Sequence, residues 1–154
     1  MHEPAGYECP FCRLQRGVDT EHNRQADIVW QDESTTAFVS PKWWAGNHGH
    51  VIVIPNAHVE NIYEIDEEPL GAVYRTVRRV AGALKEAYDC SGTSTRQHNE
   101  PDGNQDVWHL HVHVFPRYAG DGLYERHAET YWAPPAERLV YAERLRAVTN
   151  YRRP

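Results

Sequence analysis

Three histidines alternate with aliphatic residues in one short stretch of this chain. His109, His111 and His113 lie within the run WHLHVHVFPR, which spans Trp108–Arg117. Strict alternation is the period of a β-strand, in which side chains two positions apart share one face. We therefore predict a strand in which Pro116 ends the hydrogen bonding, with the imidazoles in a row at Cα spacings of roughly 6.6 Å.

Three chemical interpretations of this row are open. It could be a solvated polar face, a catalytic zinc site with three histidine ligands and an open water position, or a histidine nucleophile flanked by supporting imidazoles. Imidazole suits the last role because its ordinary pKa of about 6.5 leaves much of it neutral at pH 7. The rest of the chain has to decide between them.

Two cysteines near the start, Cys9 and Cys12, form a CxxC pair. Such a pair is half of a metal site, a redox dithiol or a purely structural feature. A redox dithiol usually follows a strand, and none is predicted ahead of this pair, so zinc is favoured. A tetrahedral zinc needs two further ligands, and His58 is a candidate. Cys90 lies far away and is predicted to be a buried thiol.

Composition restricts the class of protein. The chain has 154 residues, a formal net charge of −6 and 25% charged residues, which is typical of one globular domain. The acidic balance gives no general attraction to nucleic acid or to anionic membranes. No apolar run approaches the ~20 residues of a membrane-spanning helix, and the start does not resemble a signal peptide. The odd cysteine count favours a reducing compartment, so we expect a cytoplasmic protein.

Hydrophobic periodicity and turn residues predict the elements around these groups. The loop Asn99–Gln105 precedes the histidines and is rich in turn formers, so its N–H groups could bind phosphate oxygens. Trp43 and Trp44, in a predicted loop over Pro41–Gly49, could stack on a base or serve as core or dimer contacts. We predict a hairpin of Ile28–Trp30 and Thr36–Val39, strands at His50–Ile54 and Thr93–His98, a main helix over Asp66–Tyr88 ended by Gly92, a second helix from Pro135 to about Val148, and irregular chain over 13–26 and 118–134.

The run His109–Phe115 resembles the HφHφHφφ motif of the histidine triad family, where φ is apolar. The resemblance extends over Cys9–Tyr118, through the order of CxxC, GHVIVIP, HVENIYEI, a long helix, NEPDGNQ and the histidine row. It implies an α+β fold with an antiparallel five-stranded sheet, one long helix and a C-terminal helix, in a homodimer. The single domain then spans 1–154, with 119–154 as an extension without a family motif.

The same resemblance implies a function. Family members bind purine nucleotides and cleave at the α-phosphorus, many through a covalent nucleotidyl-histidine. His111 would be the nucleophile, with His113 and His50 bonding phosphoryl oxygens or the leaving group. Transferring branches usually carry glutamine at the third histidine, so His113 favours hydrolysis of a dinucleoside polyphosphate or a nucleoside phosphoramidate. The alternatives are a nucleotidyl transferase or phosphorylase, and a non-catalytic nucleotide-binding module.

Further positions follow from the family pattern. Asn99, Gly103 and Gln105 fall where the family contacts phosphate and ribose. Ser40 replaces an acidic residue that often contacts the ribose hydroxyls, and Asp106 replaces a serine or threonine beside the phosphate. A carboxylate at this place should repel an anionic substrate.

The zinc-containing branch of the family implies a metal site. Its CxxC thiolates are joined by a histidine of the HVEN-like segment and by the first histidine of the row. The expected ligands here are Cys9, Cys12, His58 and His109, a closed and therefore structural Cys₂His₂ zinc site. If His109 binds zinc, the other two histidines of the row are free for phosphate chemistry.

Overall fold

A computed structural model describes residues 1–152 and shows two sheets and three α-helices. The strands are β1 (Ile28–Gln31), β2 (Thr35–Val39), β3 (Lys42–Trp44), β4 (Val51–Pro55), β5 (Gly92–Gln97), β6 (Val112–Arg117) and β7 (Thr130–Trp132). The helices are α1 (Pro10–Gln15), α2 (Glu67–Tyr88) and α3 (Pro135–Thr149), and short 3₁₀ turns lie at Gln25–Asp27, Pro101–Gly103 and His127–Glu129.

The larger sheet has five antiparallel strands in the order β1-β2-β4-β6-β5. With the long helix α2 and the C-terminal helix α3, it confirms the predicted α+β fold. The hairpin, the apolar strand and both long helices lie where hydrophobic periodicity places them. Helix α2 ends at Tyr88 as predicted, but the residue that caps it is Asp89, in the left-handed conformation at φ 53°, and not Gly92.

The sheet has one mainly apolar face and one mixed face. Strands β4 and β6 contribute alternate valines to the apolar face, which packs on buried aliphatic residues of α2. On the opposite face, Phe38 of β2 and Ile52 of β4 pack against Phe11 and Leu14 of α1. The alternation seen in the sequence therefore corresponds to two differently covered faces, and the histidines belong to the mixed one.

The histidine strand starts later than predicted, and it continues past Pro116 to Arg117. Only 112–117 forms β6, so His109 and His111 precede it. In this approach segment the His109 N–H donates to Val107 O at 2.8 Å, and the Leu110 N–H donates to Val59 O at 2.7 Å. The backbone N–H groups of His109 and Leu110 are therefore bonded outside the sheet. The ring centroids of His111 and His113 nevertheless lie only 5.1 Å apart.

A second, two-stranded sheet was not predicted. Strand β3 lies in the stretch taken for a loop and pairs with β7 from the C-terminal extension, with Trp43 opposite Tyr131. Trp43 is fully buried, so it is a core residue, whereas Trp44 lies at the edge of a cavity. Residues 13–26 and 118–134 are likewise more ordered than expected, because they contain the end of α1, a 3₁₀ turn and β7.

The C-terminal extension is fastened to the body by a buried ion pair. Arg138 of α3 contacts Asp27 at 3.0 Å, and both side chains are almost fully buried. Arg138 also donates to the backbone carbonyls of Ala133 at 2.7 Å and His22 at 2.9 Å. These bonds fix α3 against the chain before β1. Within the described residues, no helix has the length and apolar character needed to cross a membrane.

Candidate active site and metal centre

A cavity of about 590 Å³ opens on the mixed face of the sheet. His111 and His113 lie in its wall, between apolar side chains from α1 and β4 and polar ones from β5. Residues of the extension, His127 and Trp132, complete the wall. The cavity is large enough for a nucleotide-sized ligand, and the histidine row meets it at two of its three members.

His111 is held in one tautomer by its own backbone neighbour. Its Nδ1 lies 2.7 Å from the carbonyl oxygen of His109, so Nδ1 carries a proton and donates it to that oxygen. The lone pair is then on Nε2. The ring is almost fully buried and meets Phe11 edge-on at 5.4 Å. Burial lowers the pKa of His111, which keeps the imidazole neutral and able to attack an electrophile.

His113 and His50 form a buried pair beside it. His113 Nδ1 lies 3.3 Å from His50 Nε2, and the His50 ring stacks on Phe115 at 4.4 Å. Burial, with a smaller contribution from Arg96, lowers the pKa of His50 to about 3, and burial also lowers the pKa of His113. His50 is 0% exposed and does not line the cavity. It therefore lies behind His113 and not where the sequence suggested a substrate contact.

In the loop Asn99–Gln105, side chains that were predicted to bind substrate instead form hydrogen bonds within the protein. Gln105 donates to Glu60 O at 2.6 Å and to Val107 O at 3.0 Å, and accepts from the Glu100 N–H at 2.8 Å. Asn99 accepts the Ile62 N–H at 2.8 Å and bonds to the side chain of Gln97. Neither side chain lines the cavity.

Gly103 and Ser40 occupy different positions. The Gly103 carbonyl accepts a hydrogen bond from His98 Nδ1 at 2.5 Å, which ties the loop to β5. Ser40 lines the cavity, and its hydroxyl donates to Lys42 O at 3.1 Å. Asp106 also lines it. Of the four predicted substrate contacts, only Ser40 reaches the cavity with its side chain.

Several cavity residues were missed from the sequence. Arg96 and His98 are two positions apart on a predicted strand, so their common face was available as a signal. His127 and Trp132 gave none, because their place depends on the unforeseen pairing of β3 with β7. Trp44 was considered for stacking and does lie in the wall. The cavity residues for which no role was predicted include Arg96, His98, His127 and Trp132.

A second cluster brings the four predicted metal ligands together. One ligand atom from each of Cys9, Cys12, His58 and His109 lies within 4.8 Å of the others. Sγ of Cys9 is 3.4 Å from His109 Nδ1, and Sγ of Cys12 is 3.2 Å from His58 Nδ1. Tetrahedral zinc with ordinary Zn–S and Zn–N bonds separates such atoms by about 3.5 Å. The residues therefore fit a zinc ion.

The outer nitrogens of the two histidines support the same conclusion. His109 Nε2 is 3.0 Å from Pro55 O, and His58 Nε2 is 2.6 Å from a carboxylate oxygen of Glu3. Zinc-bound histidines usually donate their second N–H to a carbonyl or a carboxylate, which orients the ring. Burial raises the pKa of Cys9 to about 12, so a nearby cation is what would hold this sulfur as a thiolate.

Comparison with known proteins agrees with this fold and these sites. The family model of the HIT domain matches residues 21–120. The chain is 32% identical over 127 residues to the Protein hit of Bacillus subtilis, covering 80% of this chain and 83% of that protein. The chain therefore belongs to the HIT domain family, which contains nucleotide-binding hydrolases and transferases.

Two further relatives bear on the sites. The crystal structure of a Zn-bound histidine triad family protein from Mycobacterium smegmatis superposes with a TM-score of 0.77 at 25% identity, covering 93% of this chain and 94% of that one. The asymmetrical bis(5'-nucleosyl)-tetraphosphatase of Schizosaccharomyces pombe is 30% identical over 96 residues, which cover 62% of this chain and 52% of that protein.

Proposed function

We propose that this protein is a nucleotide hydrolase that cleaves at the α-phosphate of a dinucleoside polyphosphate or a nucleoside phosphoramidate. The observation that carries the proposal is His111, whose Nδ1 is tied to the His109 carbonyl while the ring lines a nucleotide-sized cavity. A neutral imidazole with a fixed Nε2 lone pair is a competent nucleophile. The similarity to an asymmetrical tetraphosphatase supports this class of substrate.

The reaction divides into two steps at phosphorus. In the first, His111 Nε2 attacks the α-phosphorus, a P–N bond forms, and the bond to the leaving group breaks with its electron pair going to that group. In the second, water attacks the same phosphorus and loses a proton, the P–N bond breaks with its electron pair returning to His111 Nε2, and the nucleoside monophosphate is released. The carbonyl of His109 stabilises the positive charge that the imidazole acquires, because the Nδ1 proton is already directed at it.

The neighbouring histidines take different parts in this proposal. His113 lines the cavity and contacts the phosphoryl oxygens or the leaving group. His50 acts through His113, as a buried positioning residue 3.3 Å away from it. Ser40 contacts the nucleoside side of the ligand. Asn99, Gly103 and Gln105 keep the loop in shape, so their effect on phosphate and ribose binding is exerted through the backbone.

The metal centre has a structural part in the proposal. Four protein ligands leave a tetrahedral zinc no open position for substrate or water. Cys9 and Cys12 would fix the start of α1, and His109 would fix the segment that carries the nucleophile. Bound zinc would supply folding free energy here rather than Lewis-acid chemistry.

The proposed homodimer would form through the open edge of the large sheet. Both edges of the sheet are strands with one neighbour, β1 and β5. The β1 edge is covered, since Arg146 donates to Ile28 O at 3.0 Å and Thr149 donates to Val29 O at 2.9 Å. Strand β5 has no strand beyond it among residues 1–152, so sheet continuation would occur there. Light scattering during gel filtration measures the mass directly.

The experiment for the proposed activity is a turnover panel of adenylylated compounds with the wild type and His111→Ala. We expect nucleoside monophosphate as product with water as acceptor, and no turnover by the variant. Supplying phosphate as an alternative acceptor separates hydrolysis from phosphorolysis, which would yield a nucleoside diphosphate. Undiminished turnover by His111→Ala refutes the assignment, and binding of monophosphates without any turnover indicates a non-catalytic module.

A further inference from the structure

Four strands place one side chain each in a line across the cavity face. Phe38 pairs with Ile52, Ile52 with His113, and His113 with Arg96. Directly opposed residues of antiparallel strands lie on the same face, so the line runs from two apolar side chains through the histidine to an arginine. Of this line, Ile52, His113 and Arg96 reach the cavity, so its wall is apolar at β4 and cationic at β5.

Arg96 is held in place without an anionic partner. Its guanidinium carbon lies 5.7 Å from the ring centroid of Trp44, 5.8 Å from that of Phe115 and 5.4 Å from that of Tyr124. Within residues 1–152 its side chain has no hydrogen bond or ion pair, and it lines the cavity. These aromatic faces position a cation but accept none of its five N–H donors.

Arg117, in the neighbouring strand β6, has a purely structural set of hydrogen bonds and can be compared with Arg96. Arg117 donates to both carboxylate oxygens of Asp121, at 2.7 and 2.8 Å, and to Ser94 Oγ at 2.9 Å. Its donors are used within the protein. The donors of Arg96 are available, and a planar guanidinium with free donors matches phosphate geometry.

The charges that face the cavity from other elements do not neutralise this arginine. His98 follows the same strand directly, and its Nδ1 is hydrogen-bonded to Gly103 O. The ring centroid of His127 lies 5.6 Å from that of Trp44, the same ring that Arg96 contacts. The cavity also contains Lys42 and two acidic residues, Glu21 and Asp106, and neither carboxylate forms an ion pair with Arg96.

We propose that Arg96 binds the anionic leaving group of the substrate, which makes nucleoside polyphosphates better substrates than nucleoside phosphoramidates. This inference rests on the proposed function. When His111 attacks, the α-phosphorus–oxygen bond breaks and its electron pair goes to the oxygen of a leaving phosphate, which gains negative charge. A guanidinium beside His113 stabilises that charge. An amine leaving group is protonated as it departs and gains nothing from a cation.

The test compares two substrates with the same adenylyl group, diadenosine tetraphosphate and adenosine phosphoramidate, in the wild type and in Arg96→Met. A charge-assisted hydrogen bond contributes a factor of about ten to a hundred. We therefore expect kcat/KM for the tetraphosphate to fall by about that factor, while kcat/KM for the phosphoramidate changes less than about threefold. Arg96→Lys keeps the charge but loses the two-pronged guanidinium geometry. Its kcat/KM for the tetraphosphate should lie between those of the wild type and Arg96→Met.

The matched control is Arg79→Met. The Arg79 guanidinium also lies over an aromatic ring, Trp30, at 3.8 Å, but on the exposed surface of α2 away from the cavity. It should leave both substrates unaffected. An equal fall for both substrates in Arg96→Met, or a preserved preference for the tetraphosphate, overturns the inference.

A binding measurement separates failure of this inference from failure of the proposed function. If the wild type turns over neither substrate, calorimetry with AMP and ADP still reports on the arginine. Tighter binding of ADP than of AMP, lost in Arg96→Met, supports the anion subsite although the hydrolase assignment has failed. Equal affinities of the wild type for AMP and ADP overturn the subsite, whatever the enzyme does. Arg96→Lys gives the same comparison if the methionine variant does not fold.

Discussion

The first histidine of the row and the second are two residues apart and have different surroundings. The His109 ring faces two cysteine sulfurs and the imidazole of His58, and its Nε2 is bonded to the Pro55 carbonyl. The His111 ring faces a cavity, and its Nδ1 is bonded to the His109 carbonyl. Identical side chains at a regular spacing therefore acquire separate chemistry from whatever segment packs against each ring.

The two regions meet at a single atom. The carbonyl oxygen of His109 accepts the Nδ1 proton of His111 at 2.7 Å, so the residue proposed to bind zinc also orients the proposed nucleophile. The proposed zinc site would then support the segment that carries the proposed nucleophile. Variants of the proposed zinc ligands should lower stability, whereas variants of the proposed nucleophile should lower activity.

The largest expected effect separates His111 from His109. His111→Ala should lower kcat by about 10⁴-fold or more, because removing a nucleophile leaves only the binding contributions. It should keep one zinc per chain, since no proposed ligand is changed. His109→Ala should lose the zinc. Metal analysis and turnover on the same preparations measure both, and loss of zinc from His111→Ala would break the distinction.

The next effect concerns stability and the cysteines. Cys9→Ser should lose zinc and, at a free zinc concentration 1,000 times the wild-type Kd, about 4 kcal/mol of unfolding free energy. The control is Cys90→Ala, because Cys90 is a buried cysteine of the hydrophobic core, outside the cluster, and its Sγ donates to Leu84 O at 3.5 Å. Chemical denaturation with and without a chelator gives both values. A Cys9→Ser protein with full zinc content rules out the ligand set.

A smaller effect follows from the burial of His50 behind the cavity wall. The pKa of His50 is lowered to about 3 in the folded protein, chiefly by burial, against about 6.5 when unfolded. The unfolded state therefore binds an extra proton between these values, and stability falls as pH falls from 6.5 towards 3, by up to about 1.4 kcal/mol per pH unit.

The matching variant for this prediction is His50→Gln. It removes the titrating group, so its stability should fall less steeply with decreasing pH than that of the wild type. Denaturation curves at several pH values below 6.5, with the zinc content held equal, measure the two slopes. Equal slopes would show that His50 is charged in the folded protein.

The smallest expected effect tests the unusual carboxylate in the cavity wall. Asp106 lines the cavity and should repel the phosphate of a bound nucleotide by about 1 kcal/mol at most in a wet site. Asp106→Ser should therefore bind AMP up to about fivefold more tightly, and added salt should reduce the gain. Asp102→Ser is the control, since Asp102 lies outside the cavity wall. Weaker binding by Asp106→Ser would mean that the carboxylate contacts the ligand favourably.

Regular periodicity made much of this fold predictable. The strands, α2 and α3 follow from alternation, turn residues and helical spacing. The antiparallel five-stranded sheet and the four cluster residues follow from the family resemblance. The sequence did not predict β3 and β7, because both strands have only three residues and their pairing joins positions about 90 residues apart. The burial of His50 was hidden for a similar reason, since it depends on Trp44 and Phe115 packing around the ring.

The most direct test of the central claim is to trap the covalent intermediate. The protein is mixed with an adenylylated substrate, quenched in alkali within the first turnover, because P–N bonds are labile in acid, and digested for mass spectrometry. Our account predicts one nucleotidyl group on the peptide that contains the histidine row, with fragmentation assigning it to His111. An adduct on His113 or on another residue, or turnover in which none is trapped at any time, would contradict it.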